Sequence, residues 1–250
     1  MTKTGKTYVI AEAGVNHNGD IALAKQLIDV AVEAKADAVK FQTFDASALV
    51  TKTTPKAKYQ VKNTGVDDGQ HAMLTKLELS NEAHLELFKY CKQKEIAFMS
   101  TAFDVQSLAF LSQFDMPFIK IPSGEIRNAL LLWHAARVGK PLIIPSGMAT
   151  LGDIDFALAF IQYSRSNTTP PSSEQEIMQY RATALNAGEK LNDVTLLHCT
   201  SEYPTPLHQA NLNSMAQLAA TFDIDVGFSD HTLSVVTPSA AVALGAVCIE

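Results

Sequence analysis

The sequence predicts a (β/α)8 barrel, the TIM-barrel fold, formed by one domain over residues 1–250. Short apolar runs typical of buried strands alternate with runs in which apolar residues recur every three or four positions, as on one face of a helix. This order predicts a parallel sheet wrapped by helices. Eight strand-like runs occur, which favours a closed barrel over an open doubly wound sheet. The length of 250 residues is usual for one such barrel.

Seven helical segments follow the first seven strand-like runs, so the last helix of a complete barrel is lacking. Their starts carry capping residues, such as Asp20, Ser80 and Asp104, and Thr150 with Asp153 in a capping-box pattern. We expect further chain or a partner chain to cover the apolar outer side of the eighth strand. The predicted strands are Tyr8–Glu12, Ala38–Thr43, Ala97–Thr101, Phe118–Ile121, Leu142–Ser146, Val194–His198, Asp225–Ser229 and Ala246–Glu250.

Two segments interrupt this pattern. The long polar segment Asp45–Glu78 contains Pro55 and two glycines, and a loop of that length suggests a functional role. The segment Ser164–Lys190 contains Pro170-Pro171 and a polar, helix-like stretch. We interpret it as an insertion on the barrel rim and not as a domain boundary.

Composition narrows the class of protein. Hydrophobic residues make up 47% of the chain and charged residues 18%, which is typical of a globular protein. The net charge of −6 argues against a nucleic-acid surface, which would need a basic face. Three widely spaced cysteines in apolar runs indicate reduced thiols and a cytoplasmic protein, since disulfides favour oxidising compartments. No apolar stretch approaches the ~18 residues of a membrane span, so we expect no membrane partner.

The strand ends suggest where chemistry takes place. Lys40 and Lys120 each follow apolar strand residues, at positions where an anion or a carboxylate would compensate the lost hydration of the ammonium group. Hydroxyl groups of Thr101, Ser123 and Ser229, with backbone N–H groups near Gly124 and Gly147, would suit a phosphate or a carboxylate. A purely structural alternative is an ion pair within the protein, for instance between Lys120 and Glu125.

His231 is a candidate metal ligand, with Glu12 or a residue near Glu250 as a companion. The run Ser229-Asp230-His231 is superficially similar to a hydrolase triad. We reject that interpretation because neighbouring strand residues point to opposite faces and cannot form the relay. No Gly-x-Gly-x-x-Gly or Walker loop occurs, which removes the usual dinucleotide and ATP signatures.

Taken together, these residues form seven multi-residue motifs, and over residues 8 to 250 they resemble the sialic acid synthase family. Enzymes of that family condense phosphoenolpyruvate with an N-acetylmannosamine-type aldehyde to give a nine-carbon sugar acid and phosphate. The motifs are Ile10–Gly19, Val39–Thr43, Ser100–Asp104, Lys120–Glu125, Ser146–Met148, His198–Pro204 and Gly227–Thr232.

The resemblance implies a role for each matching residue. Glu12, Glu125 and Lys40 would act at the reacting centre. Gln42, Phe103 and Tyr203 would line the pocket for the sugar, an N-acetylated hexose. His231 would be the first of two histidines that bind Mn²⁺ or Mg²⁺. The residues implied to bind phosphoenolpyruvate are Lys40, Thr101, Lys120, Ser123 and Ser229.

The resemblance also implies features beyond these 250 residues. The second metal-binding histidine would lie two residues after Glu250, and a C-terminal antifreeze-like (SAF) domain would reach the partner's site in a homodimer. We therefore expect little or no turnover from this stretch alone. Pro145 stands where the family often has a hydroxyl residue, and Ser201 replaces an asparagine of some members. Either change puts one substrate contact in question.

Two other functions are compatible with the strand ends. A Schiff-base aldolase would use Lys40 or Lys120 as an amine that attacks pyruvate. The second is a barrel that only binds a sugar or a partner. In such a barrel neither lysine would be needed to bind phosphoenolpyruvate.

Overall fold

The structure is a computed structural model that describes residues 5–56, 61, 65–66 and 68–250. The remaining positions of the predicted Asp45–Glu78 loop, 57–60, 62–64 and 67, lie outside the described residues. Within the described residues, all eight predicted strands are present. They are β1 Tyr8–Gly14, β2 Ala38–Thr43, β3 Ala97–Ala102, β4 Ile119–Lys120, β5 Leu142–Pro145, β6 Val194–Cys199, β7 Asp225–Ser229 and β8 Cys248–Ile249.

The helices alternate with these strands along the chain. Two short helices, α2 and α3, lie in the segment that the sequence predicted as a loop. Among the described residues the helices are α1 Ile21–Glu33, α2 Ala46–Leu49, α3 Gln70–Thr75, α4 Asn81–Gln93, α5 Val105–Leu111, α6 Ala129–Arg137, α7 Leu151–Ser166, α8 Glu174–Asn186, α9 Ser214–Phe222 and α10 Thr237–Ala243.

The strands form one sheet in the order β3-β2-β1-β8-β7-β6-β5-β4, and the pairs between neighbours are parallel. Strand β1 is shared between two neighbours: Tyr8 pairs with Cys248 of β8, whereas Ile10 pairs with Ala38 of β2. Apart from β3 and β4, which stand at the two ends of this order, strands consecutive in sequence are neighbours in the sheet, and β1 pairs with β8, as in a (β/α)8 barrel. The predicted fold class is confirmed.

The chain divides into two compact units. One unit, Ile10–Met116, contains most of β1 with β2, β3 and helices α1 to α5. Its core includes stacked aromatic rings, with Phe41 and Phe98 centroids 6.0 Å apart. The other unit contains β4 to β8 and helices α6 to α10, with the start of β1. Its strands bury their apolar residues on both faces, as parallel strands do.

The predicted helix starts are confirmed. The Asp20 carboxylate accepts hydrogen bonds from the N–H groups of Ala22 and Leu23, and Ser80 accepts one from Ala83. Thr150 and Asp153 form the reciprocal capping box. Each cap satisfies backbone donors that the first helical turn leaves unpaired.

The predicted polar, helix-like stretch of Ser164–Lys190 is helix α8, which packs against α7. This packing buries α7 almost all round, from Ile154 to Ser164. It also buries Arg181, whose Nη1 donates to the Gln162 Oε1 at 2.9 Å. The three cysteines are free and buried, as expected for reduced thiols.

Candidate functional site

The first group of site residues, here called the Lys40 cluster, consists of Glu12, Lys40, Gln42 and Thr101. The Lys40 ammonium contacts the Glu12 carboxylate and donates to the Thr101 hydroxyl at 3.3 Å. Gln42 Nε2 donates to Glu12 Oε1 at 3.3 Å. The Lys40 side chain is only 2% exposed. A carboxylate and a hydroxyl therefore compensate a buried cation, as burial of a charge requires.

Strand register explains this grouping. Glu12 of β1 pairs with Lys40 of β2, and Gln42 of β2 pairs with Thr101 of β3. Lys40 and Gln42 are two residues apart and so project from the same face of β2. The register of β1 then shifts between Glu12 and Gly14, which has a φ of +54°. This β-bulge redirects the end of β1 beside the Glu12 carboxylate.

The second group, here called the Lys120 cluster, consists of Lys120, Ser123, Cys199, Ser229 and Glu250. Lys120 Nζ lies 2.5 Å from Glu250 Oε2, and the Ser229 hydroxyl donates to the same oxygen at 2.8 Å. Ser123 Oγ lies 3.7 Å from Cys199 Sγ. Burial raises the pKa of the Cys199 thiol, so that side chain is neutral at physiological pH.

The turn after β5 approaches this cluster closely. A Cβ atom at Gly147 would lie 2.8 Å from Cys199 Sγ and 2.9 Å from Ser123 Oγ. Neither distance leaves room for a side chain, so the sequence needs glycine there. The backbone of the turn thus lies closer to Ser123 and Cys199 than a residue with a side chain would allow.

His231 follows β7, beside this cluster. Its Nδ1 lies 2.6 Å from the Thr200 carbonyl oxygen, an acceptor, so Nδ1 carries the ring proton and Nε2 is unprotonated. The Tyr203 ring stacks on the imidazole with centroids 4.1 Å apart. Burial, partly offset by the Thr200 carbonyl and by Glu250, lowers the pKa of His231. A neutral imidazole with Nδ1 fixed by a carbonyl is the usual state of a metal ligand.

Two other predicted site residues lie in neither cluster. Glu125 ends the short 3₁₀ helix Ser123–Glu125, and its Oε2 accepts a hydrogen bond from Asn128 Nδ2 at 2.7 Å. Phe103 follows β3 and packs edge-on against Phe44, with centroids 6.0 Å apart. Phe103 thus stands directly at the end of β3, whereas Glu125 lies in the short helix that follows β4.

The structure corrects two arguments made from the sequence. The partner of Lys120 is Glu250, not Glu125, and Glu250 was missing from the predicted site residues. Ser229 and His231 were expected not to interact, yet Ser229 Oγ lies 3.3 Å from His231 Nε2. They are two residues apart and so share a face. Rejection of the hydrolase triad still holds, because His231 Nδ1 faces the Thr200 carbonyl and Asp230 accepts a bond from the Thr232 N–H.

Two further features are absent from the described residues. No group of three or more His, Cys, Asp or Glu side chains in the described part of the chain is arranged to hold a metal ion. Among the described helices, none combines the length and apolar character needed to cross a membrane.

Strand order, and two lysines paired with carboxylates at strand ends, define a (β/α)8-barrel protein with cationic side chains at the ends of its strands. The chain belongs to the NeuB family, whose model matches residues 27–250. This confirms the resemblance to sialic acid synthases that the motifs indicated.

Named relatives agree with this assignment. The chain is 44% identical to the N,N'-diacetyllegionaminic acid synthase of Campylobacter jejuni over 98% of its own length. It is also 44% identical to the synthase of the same name from Legionella pneumophila, over 97% of its length. The chain covers only 66% and 62% of the lengths of these two relatives.

A solved structure supports the fold. The N-acetylneuraminic acid (sialic acid) synthetase of Leptospira borgpetersenii, in complex with citrate, superposes with a TM-score of 0.77 at 30% identity. The match covers 98% of this chain and 72% of the other.

Proposed function

We propose that the complete protein condenses phosphoenolpyruvate with an N-acetylmannosamine-type aldehyde to give a nine-carbon sialic acid, such as a legionaminate-like sugar, and phosphate. The observation that carries the proposal is the pair of lysines at strand ends, Lys40 buried and Lys120 partly buried, each in contact with a carboxylate. They occur in a chain 44% identical to proteins named diacetyllegionaminic acid synthases. Catalytic residues of (β/α)8 barrels come from the carboxyl ends of several strands.

We assign the binding of phosphoenolpyruvate to five residues. The phosphate and carboxylate of phosphoenolpyruvate are negatively charged, and the chain also has a net negative charge. Binding therefore requires positively charged side chains placed in the site itself. The ammonium groups supply the charge, the hydroxyl groups supply directed hydrogen bonds, and the backbone of the Gly147 turn can approach closely. Glu250 holds the charge of Lys120 in place before the substrate arrives. The five residues are Lys40, Thr101, Lys120, Ser123 and Ser229.

Three residues are assigned to the sugar. Tyr203 is about half exposed and presents an aromatic face of the kind that packs on a pyranose or its open chain. Gln42 carries an amide that already donates to Glu12, and Phe103 supplies an apolar wall. These side chains suit an N-acetylated hexose better than a purely ionic substrate.

We propose that His231 holds Mn²⁺ or Mg²⁺ through Nε2. The arrangement fits a metal because the Thr200 carbonyl fixes the tautomer that leaves Nε2 free to coordinate, and because the Glu250 carboxylate is near enough to raise the pKa of the ring. When bound, the ion would act as a Lewis acid toward the aldehyde oxygen.

The reaction joins C3 of phosphoenolpyruvate to the aldehyde carbon, and the aldehyde oxygen takes up a proton. Positive charge then develops at C2, where a water molecule adds and loses a proton. As the resulting tetrahedral centre collapses, the C2 hydroxyl becomes the carbonyl group, the bond from C2 to the phosphate oxygen breaks, and the hydroxyl proton leaves with the phosphate. Glu12 and Glu125 are the carboxylates that we assign to these proton transfers. Lys40 and Lys120 stabilise the phosphate as it leaves.

The proposal also includes the localisation and the oligomeric state of the protein. We infer that the complete protein is a cytoplasmic homodimer, because its three thiols are free and because the resemblance to sialic acid synthases implies a site completed across a dimer.

A Schiff-base aldolase is the competing proposal. An amine must be neutral to attack a carbonyl. The ammonium of Lys40 contacts Glu12 and that of Lys120 contacts Glu250, and nearby carboxylates favour the charged form. This observation favours anion binding over amine catalysis.

The test is a product assay on the complete gene product with phosphoenolpyruvate, Mn²⁺ and a panel of N-acetylated hexoses. We expect a nine-carbon acid and stoichiometric phosphate, loss of product with chelator, and loss of phosphoenolpyruvate affinity in Lys120→Ala. Covalent labelling by pyruvate and borohydride would instead establish the aldolase. Unchanged affinity in Lys120→Ala would favour a barrel that only binds a sugar or a partner.

A further inference from the structure

Three buried polar side chains, here called the Thr43 network, join strands β2 and β3 to helix α4 and have no part in the reaction proposed above. Thr43 ends β2, Ser100 lies in β3 and His84 lies in α4. The Thr43 hydroxyl oxygen lies 2.7 Å from His84 Nε2 and 2.7 Å from the Ser100 hydroxyl oxygen. Hydrogen bonds between side chains thus connect two strands with the helix that packs on them.

The acceptor at one end fixes the direction of every hydrogen bond in the Thr43 network. His84 Nδ1 lies 3.0 Å from the Ser80 carbonyl oxygen, which can only accept, so Nδ1 carries the ring proton. Burial lowers the pKa of His84, so the imidazole is neutral and its Nε2 accepts from the Thr43 hydroxyl. Because that hydroxyl has only one proton to donate, Thr43 accepts from Ser100. Each polar proton of the three side chains therefore has an acceptor.

The hydrogen bond between Thr43 and Ser100 crosses the strand pair diagonally. In the register of β2 and β3, Thr43 pairs with Ala102, so Ser100 lies two residues toward the amino end of β3. Both side chains project from the face of the sheet that α4 covers, since both contact His84 or its partner there. The bond therefore ties a point near the end of β2 to an earlier point of β3.

A second diagonal of opposite sense lies on the other face of the same two strands. Lys40 pairs with Met99, whereas its hydrogen-bond partner Thr101 lies two residues toward the carboxyl end of β3. Side chains alternate between the faces of a strand, so Lys40 and Thr101 project away from the Thr43 network. Sliding of one strand along the other lengthens one of the two diagonal bonds, whichever way the strand moves. Together the two bonds therefore fix the position of β3 along β2.

Core packing alone does not explain polar side chains at this place. The surroundings of His84 are aromatic, with the Phe110 ring edge-on at 5.8 Å between centroids. Apolar side chains of similar volume would stabilise such a core as well, because the hydrogen bonds of buried polar groups only offset the cost of their desolvation. A fully satisfied polar network instead holds its neighbours in one arrangement.

We propose that Thr43, His84 and Ser100 are positioning residues, which hold β2 against β3 from the helix side and so keep Lys40 in contact with Thr101 on the other face. Backbone hydrogen bonds set the register of the strands, and the Thr43 network sets the finer placement within that register. The effect on phosphoenolpyruvate binding rests on the function proposed above, whereas the contact between Lys40 and Thr101 does not.

The test removes one hydroxyl group and then restores it. Thr43→Val keeps the shape of the side chain but can neither donate to His84 nor accept from Ser100, whereas Thr43→Ser keeps the hydroxyl. Thr183→Val makes the same substitution at an exposed position of α8 and is the matched control. The first readout is the ¹⁵N resonance of the Lys40 ammonium group, assigned by its loss in Lys40→Met. The second is calorimetric affinity for phosphoenolpyruvate, and both use the complete gene product.

We expect Thr43→Val to displace the Lys40 resonance and to weaken phosphoenolpyruvate binding by about five- to tenfold, since sites tolerate little misplacement. Thr43→Ser should restore both readouts, and Thr183→Val should change neither. A role confined to core stability predicts a lower free energy of unfolding in Thr43→Val with the resonance and the affinity of the wild type, and that result overturns the proposal. Equal displacement of the resonance in Thr43→Ser also overturns it, as does a displaced resonance with unchanged affinity.

Two further outcomes are also decisive. If Thr43→Val does not fold, Ser100→Ala takes its place, because it removes one diagonal bond and leaves the bond from Thr43 to His84. A displaced Lys40 resonance in Ser100→Ala then supports the proposal, and a wild-type resonance overturns it. If the wild type does not bind phosphoenolpyruvate, the proposed function is wrong, and the Lys40 resonance alone decides the role of the Thr43 network.

Discussion

Lys120 Nζ and Glu250 Oε2 lie 2.5 Å apart, and the two side chains are only 12% and 4% exposed. The residues are 130 positions apart in the chain and meet at the ends of strands β4 and β8. Two buried charges of opposite sign stabilise the fold only as a pair, because either one alone would lack compensation for its lost hydration. The pair thus links stability to the presence of a cation ready for an anionic ligand.

Removal of one partner should be costly. We expect Lys120→Met to lower the free energy of unfolding by about 3 kcal/mol, because it leaves the Glu250 carboxylate buried without its cation. The double variant Lys120→Met with Glu250→Gln should recover at least about half of the loss. Urea unfolding monitored by circular dichroism measures both. Equal losses in the single and double variants would show that the ion pair contributes nothing specific.

A substitution at Gly147 tests whether the backbone of this turn must come close to phosphoenolpyruvate. Gly147→Ala places a methyl group 2.8 Å from Cys199 Sγ and 2.9 Å from Ser123 Oγ, so the turn or the Ser123 hydroxyl must shift. We expect phosphoenolpyruvate affinity to fall about tenfold, equivalent to one hydrogen bond to a charged group. Gly152→Ala in α7 is the matched control, since its Cβ would meet nothing closer than 3.7 Å. If calorimetry shows that Gly147→Ala binds phosphoenolpyruvate as tightly as the wild type, this turn has no role in binding.

Stability should decrease as the pH falls from about 7.5 to about 5.5. Burial lowers the pKa of His17, His84 and His231 in the folded protein below the ordinary value of 6.5. The unfolded chain therefore binds more protons as the pH passes below 6.5, and the free energy of unfolding falls. Each histidine can contribute a slope of at most about 1.4 kcal/mol per pH unit.

Urea titrations across that range measure the slope. His84→Asn should reduce it, whatever the variant does to stability at a single pH, because one of the three titrating groups is gone. A stability that rises toward pH 5.5 in the wild type would contradict the burial of neutral histidines.

Local patterns in the sequence were enough to predict the strands and the positions where helices begin. Alternating periodicities predicted the eight strands, and side chains that bond to their own helix, such as Asp20, Ser80 and Thr150, predicted where helices begin. The lysines were recognisable because a cation directly after apolar strand residues needs compensation from somewhere.

Contacts across the chain were not predictable in the same way. The sequence offered an ion pair between Lys120 and the nearby Glu125 as a structural alternative, whereas the structure supplies Glu250, which follows a strand far along the chain. Glu250 could have been recognised as a site residue from the sequence, since it is a carboxylate at the end of an apolar strand. The bulge at Gly14 had no such signal, because a single glycine after a strand is compatible with many backbone conformations.

The short helices α2 and α3 also escaped prediction. They span Ala46–Leu49 and Gln70–Thr75, which is too short for helical periodicity to appear. The burial of Arg181 depends on the packing of α8 against α7, and no local pattern in a polar segment reveals which helix it will contact.

The central proposal is that Lys40 and Lys120 both contribute to the binding of phosphoenolpyruvate. The most direct test is a calorimetric double-mutant cycle with Lys40→Met, Lys120→Met and the double variant, and Lys92→Met as an exposed control. We expect each single variant to lose about 10- to 100-fold in affinity, and the two losses to differ from additivity by at least about 0.5 kcal/mol. Wild-type affinity in either single variant would contradict the account.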